Sequence, residues 1–310
     1  MTVYSDFAAF RADHDRCVAT IGKYDGLHLG HQHVLDSLLA TAKRKGEPAV
    51  VILSEPHPEE FFAGAQAAPR LTQFDDKEDF LVGYGVDAIF RMTFDAALCD
   101  LGAEDFIRQY LVDGLGVSTL IVGDDFRFGR RRQGDFALLQ EKGREFGFEV
   151  EREISCELEG ERVSSTLVRQ YLQAGDCERV RELLGRHYSI GGTVVTGRQL
   201  GRELGTPTAN IGLQFSKLPL QGIFSVLVQL GERELHGVAS IGFNPTVEDS
   251  AIPKLEVHLF DFDEDIYGEH LLVSFVKKLR DELAFPDLDS LKAQMSLDIE
   301  QARTSLLALG

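Results

Sequence analysis

The chain has 310 residues and a formal net charge of −18. A surface that grips nucleic-acid phosphates over a broad area is basic; this balance argues against a DNA or RNA partner, and any anionic ligand must be held by a local cluster of donors. No apolar run approaches the ~20 residues that span a bilayer, the N-terminus carries no signal-type apolar core, and Cys17, Cys99, Cys156 and Cys177 form no CxxC pair, which together point to a cytoplasmic protein with reduced thiols.

In chain order, residues 17–21 (CVATI) predict a buried strand. A turn containing glycines follows, then a helix over 30–45 with Val34, Leu35, Leu38, Leu39 and Ala42 on one face. Residues 49–53 (AVVIL) predict the next strand, completing one βαβ unit. Helices over 76–83, 103–113 and 136–146 then alternate with strands over 88–92, 119–122 and from 148. That alternation predicts a doubly wound parallel sheet. Two short helices, 165–173 and 177–184, close this half.

The period changes near Gly185. Runs over 190–196, 224–230, 235–241, 255–260 and 271–276, bounded by Gly or Pro, predict a small antiparallel barrel. Leu288, Leu291, Met295, Ile299, Ala302 and Leu306 mark a final amphipathic helix. The expected architecture is therefore an α/β doubly wound, Rossmann-like parallel-sheet domain over 1–185, then a small antiparallel β-barrel domain over 186–310 with a C-terminal helix.

Between the first strand and the first helix stands TIGKYDGLHLGH, Thr20–His31. Open α/β sheets place ligands beyond the carboxyl ends of their strands. A helix N-terminus there offers unpaired N–H groups to an anion. Gly22, Gly26 and Gly30 permit tight turns, and His28 and His31, three apart, share one face of the first turn. A lone histidine near a helix start is equally at home as a cap or on the surface, and a metal site among His28, His31, His33 and His57 lacks a completing Cys or carboxylate at a familiar spacing. Farther on, Ser165 and Thr166 open a predicted helix, where they could cap it or bind phosphate, and Arg169 lies one turn on. Arg127, Arg130, Arg131 and Arg132 form the densest basic run, readable as a solvated loop or as facing phosphate.

These stretches carry a resemblance. The HxGH segment resembles that of the nucleotidyltransferases in the form used by bacterial FAD synthetases. SEPHPEEFF (Ser54–Phe62), VGDDFRFGRRRQGD (Val122–Asp135) and VSSTLVRQYL (Val163–Leu172) resemble further motifs of the same family in the same order. The resemblance implies that His28 and His31 act in catalysis. It also implies that Gly22, Lys23, Tyr24, Asp25, Gly30, His57, Asp125, Arg127, Ser164, Ser165, Thr166 and Arg169 contact nucleotide or flavin. Tyr24 stands where the family usually has Phe, and the doubled Asp124–Asp125 departs from its usual loop.

In the second half, GRQLGRELGTPTANI (Gly197–Ile211) resembles the riboflavin kinase signature, with Thr206 replacing an aromatic residue. The resemblance implies that Thr208 and Asn210 coordinate Mg²⁺, and that Gly197, Gly201, Gly205 and Pro207 wrap the ATP phosphates. LEVHLFDFDEDIYG (Leu255–Gly268) resembles a second kinase motif. Strand alternation puts Leu255, Val257 and Leu259 on one face and Glu256 and His258 on the other. A glutamate on a polar strand face is ordinarily just solvated; the resemblance makes Glu256 the base for the riboflavin 5′-hydroxyl and places Arg280 near the flavin. The whole chain is thus similar to the bifunctional riboflavin kinase/FAD synthetases. The expected substrates are riboflavin, FMN and ATP, with Mg²⁺ accompanying ATP and no membrane. Monomer and homo-oligomer both stay open. An HxGH adenylyltransferase acting on NMN or phosphopantetheine, and a flavin-binding module without catalysis, are the competing readings.

Overall fold

The computed structural model describes residues 2–197, 206–214, 217–243 and 253–308. The chain divides into two compact units, Met1–Ala68 with Lys77–Val163, and Pro69–Asp76 with Ser164–Gly310.

The first unit is built on a parallel sheet of β1 (Thr2–Tyr4), β2 (Cys17–Gly22), β3 (Ala49–Glu55), β4 (Ala88–Thr93), β5 (Val117–Gly123) and β6 (Glu149–Glu153), in the order β1-β4-β3-β2-β5-β6. Strands β2, β3 and β5 are buried along almost their whole length. Their unbroken Val/Ile/Leu-rich runs reflect a sheet covered on both faces. Strand order runs one way from β2 to β3 and β4 and the other way to β5 and β6, so the topological switch point lies between β2 and β5. Helices α1 (Phe7–Asp13), α2 (Leu29–Lys45), α3 (Pro58–Ala63), α4 (Phe74–Tyr84), α5 (Ala96–Asp100), α6 (Ala103–Phe106) and α7 (Phe136–Phe146) connect the strands. The helix expected over 103–113 is α-helical only to Phe106 and widens into a π-turn segment over Ile107–Gly114. Edge strand β1 and helices α1, α3 and α5, of 3, 7, 6 and 5 residues, are too short to register as periodic segments.

A short antiparallel pair, β7 (Glu157–Leu158) and β8 (Glu161–Arg162), ends the first unit. In the second unit, β9 (Tyr188–Val195), β10 (Ala209–Gly212), β11 (Gly222–Leu230), β12 (Arg233–Phe243), β13 (Pro253–Leu259) and β14 (His270–Arg280) close an antiparallel barrel in the order β10-β13-β12-β11-β14-β9. The expected alternation holds in β13, where Leu255, Val257 and Leu259 are buried and Glu256 and His258 are half-exposed. Phe224 and Phe275 meet edge to face in the barrel core, with centroids 5.3 Å apart. Helices α8 (Ser165–Ala174) and α9 (Cys177–Leu184) group with this unit, α9 packing on β9 and β14. The unit boundary at 163/164 therefore precedes the change of sequence period at Gly185.

The C-terminal helix α10 (Leu288–Leu307) divides its apolar stripe between two tasks. Ala302 and Leu306 pack with Phe260 against the outside of the barrel. Leu291 and Met295 line a cavity instead, Ile299 both lines it and packs on the cluster, and Leu288 is exposed. Phe275 is fully buried, so Phe275→Ala should lower the stability of the barrel transition in denaturant by about 3–5 kcal/mol. A loss below about 1 kcal/mol would contradict a close-packed core around that ring.

Candidate active sites

The first candidate site is built by the turn between β2 and α2. Tyr24 and Leu27 hold left-handed φ values of 51° and 49°, as does Gly26 at 84°. Such a conformation costs a non-glycine residue about 1–3 kcal/mol, and identifiable contacts offset it. The Thr20 and Tyr24 hydroxyls are hydrogen-bonded at 2.8 Å, and the Lys77 ammonium donates to the Lys23 carbonyl at 2.6 Å. A charge-assisted bond of that kind contributes about 1.5–3 kcal/mol, enough to matter against the strain. Gly22 ends β2 beneath the Tyr24 ring, and Tyr24, Asp25 and His28 are buried.

His28 is the N-cap of α2, its Nδ1 accepting from the His31 N–H at 3.3 Å. An accepting Nδ1 puts the proton of the neutral ring on Nε2. The two imidazoles are stacked, centroids 3.7 Å apart and 14° from parallel, with the Tyr24 ring 4.9 Å from His31. Gly30 makes this approach workable, since a Cβ there would stand 3.2 Å from the His28 ring. Capping and ligand readings of His28 are thus compatible: the cap orients the ring at a helix N-terminus beside the switch point. Among the described residues, the His31 Nδ1 is buried with no hydrogen-bond partner. Buried polar atoms are nearly always satisfied, and this one shares its exception with atoms such as Thr119 Oγ1 and His187 Nδ1.

The carboxyl ends of the neighbouring strands supply the other loops. After β3, His57 is buried and its N–H donates to the Glu60 carboxylate at 3.2 Å; beside it Phe61 and Phe62 are exposed, with the Phe94 ring 5.6 and 6.0 Å from theirs. Lys23 pairs with Glu59 at 2.5 Å. After β5, the loop closes on a Phe128–Gly134 bridge. There Asp125 accepts from Arg162 at 2.6 Å, and Arg127 is exposed, donating to the Phe126 carbonyl at 2.8 Å. Lys77 is 1% exposed and lies 3.2 Å from the His57 Nε2 through its Nζ; sequence reasoning missed it, because FDDKEDF reads as an ordinary charged helix start.

On α8 the cap is Ser164, whose Oγ accepts from the Leu167 N–H at 3.2 Å. Ser165 and Thr166 occupy the first turn, and the Arg169 Nε donates to the Pro69 carbonyl at 2.6 Å.

The second candidate site lies on the barrel. Strand pairing sets Asn210 directly opposite Glu256, and Glu256 opposite Ser240 on its other side. The Asn210 side chain lies against Gly197, where a Cβ would collide with it. His258 donates through Nδ1 to the Pro207 carbonyl at 2.8 Å, fixing the entry to β10. Thr208 lines two cavities. One, of about 440 Å³, also holds Glu256, Arg280, Phe285 and Met295; the other, of about 370 Å³, has Pro207, Ala209, Phe262 and Tyr267 in its wall. Arg280 is clamped in two hydrogen bonds, 2.8 and 2.7 Å, to the buried Asp298 of α10. Gly201 and Gly205 lie outside the described residues.

The chain thus combines a doubly wound sheet, with two stacked histidines beside its switch point, and a barrel on which Asn210 pairs with Glu256 while Thr208 and Glu256 line one cavity. The FAD synthetase family model matches residues 10–167 and the riboflavin kinase model residues 184–306. The bifunctional riboflavin kinase/FMN adenylyltransferase of Pseudomonas fluorescens is 45% identical over 94% of both chains, and that of Haemophilus influenzae 43% identical over 93% of both. A crystal structure of a macrolide-efflux protein from Streptococcus pneumoniae matches with a TM-score of 0.82, covering 97% of this chain and 98% of that one at 26% identity. The chain belongs to the bifunctional riboflavin kinase/FMN adenylyltransferase family. It phosphorylates riboflavin with ATP to give FMN, then adenylylates FMN with a second ATP to give FAD and pyrophosphate.

The His31 imidazole is held well below its ordinary 6.5, first by burial and then by the charges of His28, Lys77 and Lys23. Between its folded and unfolded values the unfolded chain binds more protons, so stability rises with pH there. The His31 contribution is complete above about pH 6.5 and is lost as pH falls below it. Denaturation midpoints from pH 7.5 down to 5.5 should therefore fall more for the wild type than for His31→Gln; parallel curves would contradict the depressed value.

Proposed function

We propose that the two reactions use two separate residue sets, with the adenylyltransferase segment over 1–185 and the kinase segment over 186–310. The family matches at 10–167 and 184–306 support this division. The observation that carries the kinase assignment is the cross-strand pairing of Asn210 with Glu256 beside Thr208. The Glu256 carboxylate takes the proton of the riboflavin 5′-hydroxyl, whose oxygen attacks the γ-phosphorus; the bond to the bridging oxygen breaks and ADP leaves. The larger cavity, with Phe285, Met295 and the clamped Arg280, suits the flavin, and the smaller one, with Phe262 and Tyr267, suits the nucleotide. Gly197, Gly201, Gly205 and Pro207 keep the phosphate-wrapping role that the resemblance implies.

The Thr208 hydroxyl and the Asn210 amide oxygen would hold Mg²⁺. The donor set fits: these are hard, neutral oxygens next to a carboxylate, and the Asn210 side chain fills the space that a Cβ at Gly197 would take. When bound, the ion neutralises phosphate charge. Thr208 and Asn210 orient the phosphates toward Glu256.

For adenylylation, an FMN phosphate oxygen attacks the α-phosphorus of ATP and pyrophosphate leaves. The attacking phosphate is largely ionised at neutral pH, with a second pKa near ~6, so no strong base is required. His28 and His31 stabilise the charge that builds on the transferring and leaving groups. The buried, unpartnered Nδ1 of His31 supports this role. Gly22, Lys23, Tyr24, Asp25, Gly30, Asp125 and Arg127 frame the ligand loops, Ser164, Ser165, Thr166 and Arg169 keep the phosphate contacts that the resemblance implies, and the exposed Phe61 and Phe62 beside His57 offer a flat flavin ring an aromatic face. Acidic composition and reduced-thiol spacing support a cytoplasmic enzyme without a nucleic-acid partner. Among the described residues no helix is long and apolar enough to cross a membrane.

Glu256→Gln should lower riboflavin phosphorylation by about 10²–10⁴-fold and leave FAD formation from supplied FMN intact. His31→Ala should do the reverse, with a loss of about 10²–10³-fold. Chromatographic separation of the three flavins over time reads both. Loss of both activities in either folded variant would sink the two-set assignment. Chelating the divalent ion should stop FMN formation, and kinase turnover undiminished in excess chelator would remove Mg²⁺ from Thr208 and Asn210.

A further inference from the structure

We infer that Lys77 is a positioning residue for adenylyl transfer, its buried ammonium tying the turn after β2 to His57 and holding two ligand loops in one arrangement. The inference rests on reading the His28–His31 turn as the ATP phosphate site.

Lysine is among the residues least often buried whole, because removing an ammonium from water is costly unless its surroundings replace the lost interactions. Lys77, 1% exposed on α4, finds the Lys23 carbonyl at 2.6 Å and the His57 Nε2 at 3.2 Å. These partners belong to loops leaving the carboxyl ends of adjacent strands, β2 and β3. The carbonyl directly precedes Tyr24, the first residue of the left-handed run. Fixing it fixes the direction in which the turn sets out, and hence where His28 begins α2.

At its other contact, an ammonium can only donate. The His57 Nε2 accepts from it, and the same side chain stands in the capping box that opens α3 with Glu60. Lys77 thereby ties the path of one loop to the ring that caps the next. Its charge also helps hold the His31 pKa down, after burial and His28. A side chain that merely filled this space could be replaced by methionine, which is similar in length.

The test uses the full chain as wild type, Lys77→Met, Lys77→Arg, His57→Ala and the Lys77→Met/His57→Ala double variant. FMN formation and FAD formation from supplied FMN are assayed separately. Lys77→Met should lower kcat for FAD formation about 100-fold, with KM for FMN within about threefold and riboflavin phosphorylation within about twofold of wild type. Lys77→Arg should recover part of the loss. The double variant should fall no more than about threefold below His57→Ala, as expected when two residues act as a unit.

FAD formation by Lys77→Met within about threefold of wild type, or losses that multiply in the double variant, would overturn the inference. If circular dichroism shows Lys77→Met unfolded, the same cycle with Lys77→Arg decides: a shared loss supports the link to His57 and multiplied losses overturn it. His31→Ala is measured alongside. Normal adenylylation by that variant removes the phosphate-site reading and this inference with it, whereas an inactive His31→Ala beside an active Lys77→Met removes this inference alone.

Discussion

The adenylyl-transferring half depends on how the chain leaves β2. Three residues of the connecting turn, Tyr24, Gly26 and Leu27, adopt left-handed backbone angles, and only then can His28 end the turn as the N-cap of α2. The cap brings the His28 ring against His31, and Gly30 leaves room for the stack. A relaxed turn would point the same residues elsewhere. Buried contacts from Thr20 and Lys77 secure the strained path, so the residues that shape the site extend beyond those that face its ligand.

The barrel solves its positioning problem by register. A one-residue slip between β10 and β13 would turn Glu256 into the barrel and bring a core residue out. Leu255, Val257 and Leu259 are buried on the opposite face, which makes that slip costly. The hydrophobic core therefore fixes the pairing of Asn210 with Glu256. Helix α10 adds a polar anchor, Asp298, that orients Arg280 from outside the barrel wall.

Much of this was legible in the sequence. The apolar runs of β2, β3 and β5 announce a parallel sheet because both faces are buried, and the alternation in β13 announces a half-exposed strand. The HxGH and PTAN segments stand out through their resemblance to known motifs, because glycine, histidine and small polar residues also gather in ordinary caps and turns. Less legible features share a cause: they depend on neighbours remote in sequence. Lys77 looks solvated in FDDKEDF and is buried, against the Lys23 carbonyl and His57 among others. Strand β10 is hidden in a Pro-containing loop and is short, so pairing with β9 and β13 defines it rather than its own pattern. Leu291 and Met295 carry the periodicity of a packed stripe and line a cavity instead.

The central claim is that one chain houses two independent sets of reacting residues. It is tested most directly by complementation between full-length Glu256→Gln and His31→Ala, given riboflavin, ATP and Mg²⁺. Alone, the first should leave riboflavin unchanged and the second should accumulate FMN. Mixed, they should produce FAD, because FMN released by one variant is adenylylated by the other. A mixture of folded variants that makes FMN but no FAD would contradict the account.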